Sequence, residues 1–150
     1  ILERNYTSSR LQLRVNNMHI SLDRLDEAHK ALLTETKTLI ETLTQTLSLY
    51  VQDPAAHSLE ALPEYLKELA GAALFLGSSA QQTALLTAAN FAQNRLNQNL
   101  ALDAEQVNCI LNVVAGLDLL VDNLKNKQPV LQSMFDVALS SSQQLQNIAA

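Results

Sequence analysis

Three histidines, one cysteine and fifteen carboxylates are the residues from which this chain would have to build any chemistry. His29 stands on an apolar helical stripe seven residues before Thr36, a spacing that sets both on the inner edge of one helix. A buried polar layer of that kind biases helix packing through protonation or ligand contact, whereas a satisfied or partly exposed edge histidine is the ordinary alternative. His19 and His57 share no helical face with His29, and neither an H-x-x-x-H nor an E-x-x-H pair occurs, so no metal site is expected. Cys109, set among Val107, Ile110 and Leu111, has no histidine or cation beside it in sequence and reads as a small buried hydrophobe without an internal disulfide partner. Asp23, Asp26 and Glu27 read as a solvated acidic face. With no nucleophile, acid–base pair or nucleotide motif, neither catalytic residues nor a cofactor are expected.

The elements that must position these residues are helices. Over residues 11–50 an apolar seam recurs in alternating steps of four and three, through Leu11, Val15, Met18, Leu22, Leu25, His29, Leu32, Thr36, Leu39, Leu43, Thr46 and Tyr50. At a rise of ~1.5 Å per residue this rod is roughly 60 Å long, so other helices must lie along it. Asp53-Pro54 ends it, because proline lacks the N–H and disfavours helix in the residue before it. A second helix starts near Leu62-Pro63, with its seam at Leu62, Leu66, Leu69, Ala73 and Leu76; Gly77 breaks it. Ser79 with Gln82 has the form of a capping box and opens a third helix, whose seam is Gln82, Leu85, Ala89, Ala92 and Leu96. Asp103 with Gln106 opens the fourth, and its seam from Val107 to Leu124 resumes in register at Leu131, Phe135, Ala138 and Leu145. That continuity predicts one long helix kinked at Pro129, with a true break there as the alternative. The expected fold is all-α, an antiparallel up-down four-helix bundle in a single domain, with helices at about 5–52, 60–77, 79–100 and 104–148. Long first and last helices would leave together from one end.

Composition narrows the function classes. Of 150 residues, 47% are hydrophobic and only 4% aromatic, with three Gly and three Pro, which suits helices rather than turn-punctuated strands. A net charge of −5 without a Lys/Arg cluster argues against nucleic-acid binding, which requires converging cations. No apolar run reaches the ~18 residues needed to span a bilayer, the longest covering residues 69–76. The chain starts with Ile and not Met, from which it is expected to be an internal domain that meets a membrane only through flanking segments. The small residues Ala70, Gly71, Ala72 and Ala73 suit close helix packing.

Two resemblances follow from particular stretches. Lys67-Glu68-Leu69-Ala70-Gly71 followed by Gly77 resembles the histidine-phosphotransfer pattern, in which a phosphorylated His is followed by Gly at four and ten residues. Here Lys67 occupies the histidine position and Gln81 stands where an apolar residue is expected, so the resemblance implies a phosphotransfer-inactive bundle of the sort found in chemosensory pili proteins. It also implies that Lys67 is exposed midway along its helix, with Gly71 on the same face, where a receiver domain would dock. More diffusely, the Arg10–Arg14 stretch, the long first helix through Leu32-Leu33, the region around Leu66 and Leu86, and Val114-Ala115-Gly116-Leu117 with Gln144-Leu145 are similar to periplasmic sensor domains of bacterial hybrid histidine kinases of the TorS type.

The second resemblance implies a non-enzymatic, periplasmic input domain of a two-component or chemosensory receptor in the inner membrane, the rest of which would be a sensor kinase or a chemoreceptor. An interaction module or inactive phosphotransfer-like bundle, cytoplasmic in that case, is the alternative. A sensor of this type is expected to pair as a homodimer through its first and last helices. A core poor in aromatics and convergent charges predicts no deep pocket for a charged small molecule. Recognition of a periplasmic binding protein, or of a small ligand, is instead expected at the loops of residues 52–62 and 99–103, with Asp53, Glu60 and Asp103 as contact residues. Plain connecting loops are the ordinary alternative.

Overall fold

The computed structural model describes residues 18–149, with side chains from 26 to 148. The expected helix start near residue 5, the seam positions Leu11 and Val15, and the side chains of His19 and Asp23 lie outside the described residues. The described residues form five α-helices and one 3-10 turn, with no strand: α1 (Met18–Gln52), α2 (Leu62–Phe75), α3 (Ser79–Asn97), α4 (Ala104–Lys125), the 3-10 turn Gln132–Phe135 and α5 (Asp136–Ala149).

Local chemistry sets most boundaries. In α1 the hydroxyls of Thr38 and Thr46 donate to the carbonyls of Thr34 and Thr42, satisfying β-branched polar residues within the helix itself. The helix stops at Gln52, ahead of Pro54. Pro63 lies in the first turn of α2, where its missing donor costs nothing. Asp103 and Gln106 close a reciprocal capping box on α4 at 2.8 and 3.0 Å. At α3 the cap falls one residue earlier than the sequence suggested: Ser78, not Ser79, accepts from the Gln81 amide at 3.1 Å. The box is not reciprocated, because the Gln81 side chain turns into the core and donates to the Val113 carbonyl at 2.6 Å.

Three helices end in the same left-handed turn. After α2 the Ser78 amide reaches the Ala73 carbonyl and Gly77 reaches Leu74; after α3, Leu100 reaches Arg95 and Asn99 reaches Leu96; after α4, Gln128 reaches Asn123 and Lys127 reaches Leu124. These are Schellman closures, and their pivots have positive φ: Gly77 at 97°, Asn99 at 55° and Lys127 at 54°.

The third closure corrects an expectation. Residues 104–148 are not one helix kinked at Pro129; α4 ends at Lys125, and α5 packs back against it. Pro129 disfavours helix at Gln128, and the Lys127 pivot reverses the chain before the proline is reached. Asn123 then fastens the connection, its side-chain amide donating to the Pro129 carbonyl at 2.8 Å and approaching the Met134 sulfur at 3.5 Å. Leu131, expected on the buried seam, is 59% exposed in this connection.

Side-chain bonds fix the helix directions. Lys37 on α1 meets Asp118 and Asp122 on α4 at 2.6 and 3.3 Å, while Tyr50 accepts from the amide of Leu102 just before α4, so α1 and α4 run antiparallel. Asn123 lies beside Met134, and Cys109 donates to Gln144 at 3.0 Å, so α5 runs antiparallel to α4. The first and last helices therefore do not leave together: the start of α1 and the end of α5 lie at opposite ends of the fold. Lys37 pairs with the last two turns of α4 and Leu33 is still buried in the core, so the preceding part of α1, residues 18–32 or roughly 20 Å at ~1.5 Å each, runs past the end of α4.

The core joins all five helices, through Leu43 and Leu47 of α1, Leu66 and Leu69 of α2, Leu85 and Ala89 of α3, Ile110 and Leu117 of α4, and Leu145 of α5. The buried face of α1 is Leu33, Thr36, Ile40, Leu43, Leu47 and Tyr50, with Leu39 packed at its edge. It is turned from the expected seam: Leu33, Ile40 and Leu47 are buried in place of Leu32, Leu39 and Thr46, which are only partly buried, as α1 contacts both α2 and α4. α4 is long and apolar enough to cross a membrane, but half of its apolar window is buried inside the fold, which is the pattern of a core helix.

Candidate interaction surface

On α2 the residues Lys67, Gly71 and Leu74 fall along one line of the helix, flanked by Glu64 and Phe75. Leu66, Leu69, Ala70 and Ala73 occupy the opposite side and are buried. Lys67 sits mid-helix with its side chain 47% exposed, and its ammonium lies 3.7 Å from Glu64 one turn back, an exposed pair of little energetic weight. A Cβ built on Gly71 would meet nothing within 4 Å. The small-residue patch thus divides: Ala70 and Ala73 serve packing, and Gly71 does not. Glycine in a helix interior costs roughly 0.5–1 kcal/mol relative to alanine, and the fold makes no steric use of it here. Leu74 and Phe75, 43% and 49% exposed, extend this open face with apolar surface. α2 also pairs with α3 more extensively than any other two helices do.

The far end of the fold holds the residues expected to contact a partner. Asp53, Glu60 and Asp103 are all exposed. Asp103 has a structural task as well, since its carboxylate accepts from Gln106 in the α4 cap. The loops are brought together there as anticipated: Tyr50, Leu59, Leu62, Arg95, Leu100 and Leu102 surround a cavity of about 90 Å³. Arg95 was not singled out by sequence reasoning, although it is the single cation between residues 68 and 124.

His29 and Thr36 do not form a common buried layer. Thr36 is buried and lines an open groove of about 390 Å³ between α1 and α2, with Leu39, Glu68 and Leu69, while His29 is half-buried on the overhanging part of α1. The side-chain hydrogen bond to Asp118 foremost, against partial desolvation, holds the Lys37 ammonium above its usual pKa. Desolvation, aided by the charges of Glu105 and Asp103, pushes the buried Cys109 thiol up, which makes it a poor nucleophile at neutral pH. Among the described residues no group of three His, Cys, Asp or Glu is placed to hold a metal ion.

The described residues are thus wholly helical and present an open lysine–glycine face on α2. Residues 23–142 match the family model described as the FimL C-terminal domain, and the chain belongs to that family. No curated protein matches the chain, nor does any solved structure.

Proposed function

We propose that this domain is a non-enzymatic, phosphotransfer-type docking module that has lysine where a phosphotransfer domain carries its histidine. In this reading α1 to α4 make the antiparallel up-down four-helix unit, and α5 is an added helix laid against α3 and α4. The observation that carries the reading is Gly71: an open mid-helix glycine, one turn from an exposed lysine, whose smallness the fold itself leaves unused. A partner helix approaching α2 closely would use it. Lys67 cannot accept a phosphoryl group and relay it as imidazole does, so its ammonium would serve as a fixed charge facing an acidic partner. The acidic pocket of a receiver domain has that chemistry. The family assignment supports a module of this kind without naming its partner.

Binding of receiver domains to the chain, measured by calorimetry, tests the proposal. Lys67→Glu combined with Gly71→Leu should weaken binding at least about tenfold, as expected when a central contact and its charge are both altered. The melting temperature should not fall, because both positions are exposed. Undiminished binding by the double variant would remove this face from consideration.

An extracytoplasmic sensor, homodimeric and responsive to a binding protein or small ligand, is the second proposal. The α1 overhang favours it, being a helical extension with few neighbours that could pair with a second copy. The start of α1 and the end of α5 lie at opposite ends of the fold, so this reading draws no support from paired terminal helices.

A further inference from the structure

The cavity of about 90 Å³ at the end formed by residues 53–61 and 98–103 contains more than packing space. Its walls are aliphatic, from Leu59, Leu62, Ala92, Leu96, Leu100 and Leu102, and two polar side chains interrupt them, Tyr50 and Arg95. Tyr50 is 7% exposed, and its hydroxyl accepts from the Leu102 amide at 3.1 Å, which leaves the phenolic proton free to donate. The Arg95 guanidinium is held from two sides: one terminal nitrogen donates to the Ala101 carbonyl at 2.7 Å, and its central carbon lies 5.9 Å from the Phe91 ring centroid. Its Nε is buried and has no hydrogen-bond partner among the described residues. An unsatisfied buried donor on a charged group is costly, and native structures supply a partner for nearly all such groups.

We propose that Arg95 and Tyr50 form a binding site for a carboxylate carried on a short aliphatic chain. Both side chains line the cavity, so a carboxylate seated there can accept from Tyr50 Oη and meets the opposite charge of the Arg95 guanidinium in a largely apolar setting, where such bonds are strongest. The volume equals about three waters at ~30 Å³ each, which accommodates a carboxylate with one or two further carbons. Exposed Asp53 and Glu60 nearby would oppose long-range attraction of an anion, so affinity rests on the direct bonds. The site is independent of the Lys67 face: it lies at the Leu62 end of α2, among different residues.

Propionate is the probe, and the Arg95 Nε–H signal in nitrogen-resolved NMR of the whole chain is the readout. The expected result is a saturable shift of that signal at millimolar propionate, with Arg95→Lys and Tyr50→Phe each weakening binding about tenfold and hexanoate, too long for the cavity, binding more weakly. A signal that propionate does not move, or unchanged affinity in Arg95→Lys, overturns the site. Should either variant lose helicity by circular dichroism, the wild-type signal alone decides. A short peptide with a free terminal carboxylate separates the two sources of this chemistry. Tighter binding than propionate, lost on amidation, assigns the ligand to a chain terminus, and weaker binding assigns it to a free acid. Equal binding of the amidated peptide also overturns the proposal.

Discussion

The side-chain oxygen of Gln81 on α3 occupies the space that a Cβ at position 116 of α4 would need. A Cβ there would also stand 2.8 Å from that of Ala138 on α5, so three helices converge on the missing side chain of Gly116. Gln81 is fully buried, and its oxygen has no hydrogen-bond partner among the described residues. Gly116→Ala should therefore lower unfolding free energy by about 1–3 kcal/mol through overpacking, against the helix propensity that favours Ala. Gln81→Ala in the same chain should relieve part of that loss, giving a coupling of about 1 kcal/mol in a double-mutant cycle measured by urea unfolding. Strict additivity would show that the close approach is accommodated elsewhere.

The Lys127 pivot is a lysine held at φ 54°, where an L-residue with a Cβ is strained by roughly 1 kcal/mol and glycine is not. Lys127→Gly is expected to raise stability by about that amount, with α4 and α5 unchanged by circular dichroism. Asn99→Gly should gain less, since asparagine tolerates this conformation better than lysine. A destabilising Lys127→Gly would indicate that the lysine side chain has contacts which outweigh its backbone strain.

Asp53, Glu60 and Asp103 are not equivalent despite their common exposure. Asp103→Lys removes the α4 cap and sets a cation at a helix N-terminus, so it should cost about 1 kcal/mol or somewhat more in thermal or urea unfolding. Asp53→Lys and Glu60→Lys should each fall within about 0.5 kcal/mol of the parent. Any binding study at this end must therefore treat Asp103 separately, because its loss alters the fold as well as the surface.

The sequence made the helices legible wherever the stop signal was chemical and local. Pro54, Pro63, Gly77 and the Asp103–Gln106 box each act on the backbone within a few residues, and the expected ends of α1 and α2 and starts of α2 and α4 agree with the structure to within about two residues. The reversal after α4 was illegible for a physical reason. Leu124, Leu131, Phe135 and Ala138 keep helical phase across the break, and a seven-residue spacing preserves register whether the chain continues or folds back. Its pivot is a lysine, which carries no turn signal. The same blindness affected Gln81 and Arg95, since burial of a polar side chain against another helix depends on tertiary packing that periodicity does not encode. The exposure of Lys67, by contrast, was an implication of the phosphotransfer resemblance, whereas Gly71 had the look of a packing residue because it sits in a run of small side chains.

The reversal at Lys127 also sets how the fold would respond to force. Had the first and last helices left side by side, tension between them would peel the bundle open from one end, one contact after another. With the start of α1 and the end of α5 at opposite ends, the same tension pulls α1 lengthwise past its neighbours. The Lys37 contacts with Asp118 and Asp122 and the Tyr50 contact with Leu102 then bear the load together. Sliding geometries of this kind yield through a single cooperative event, whose rate is the unfolding rate under load. Pulled between residues 18 and 149, the domain should behave as a stiff link that gives way abruptly.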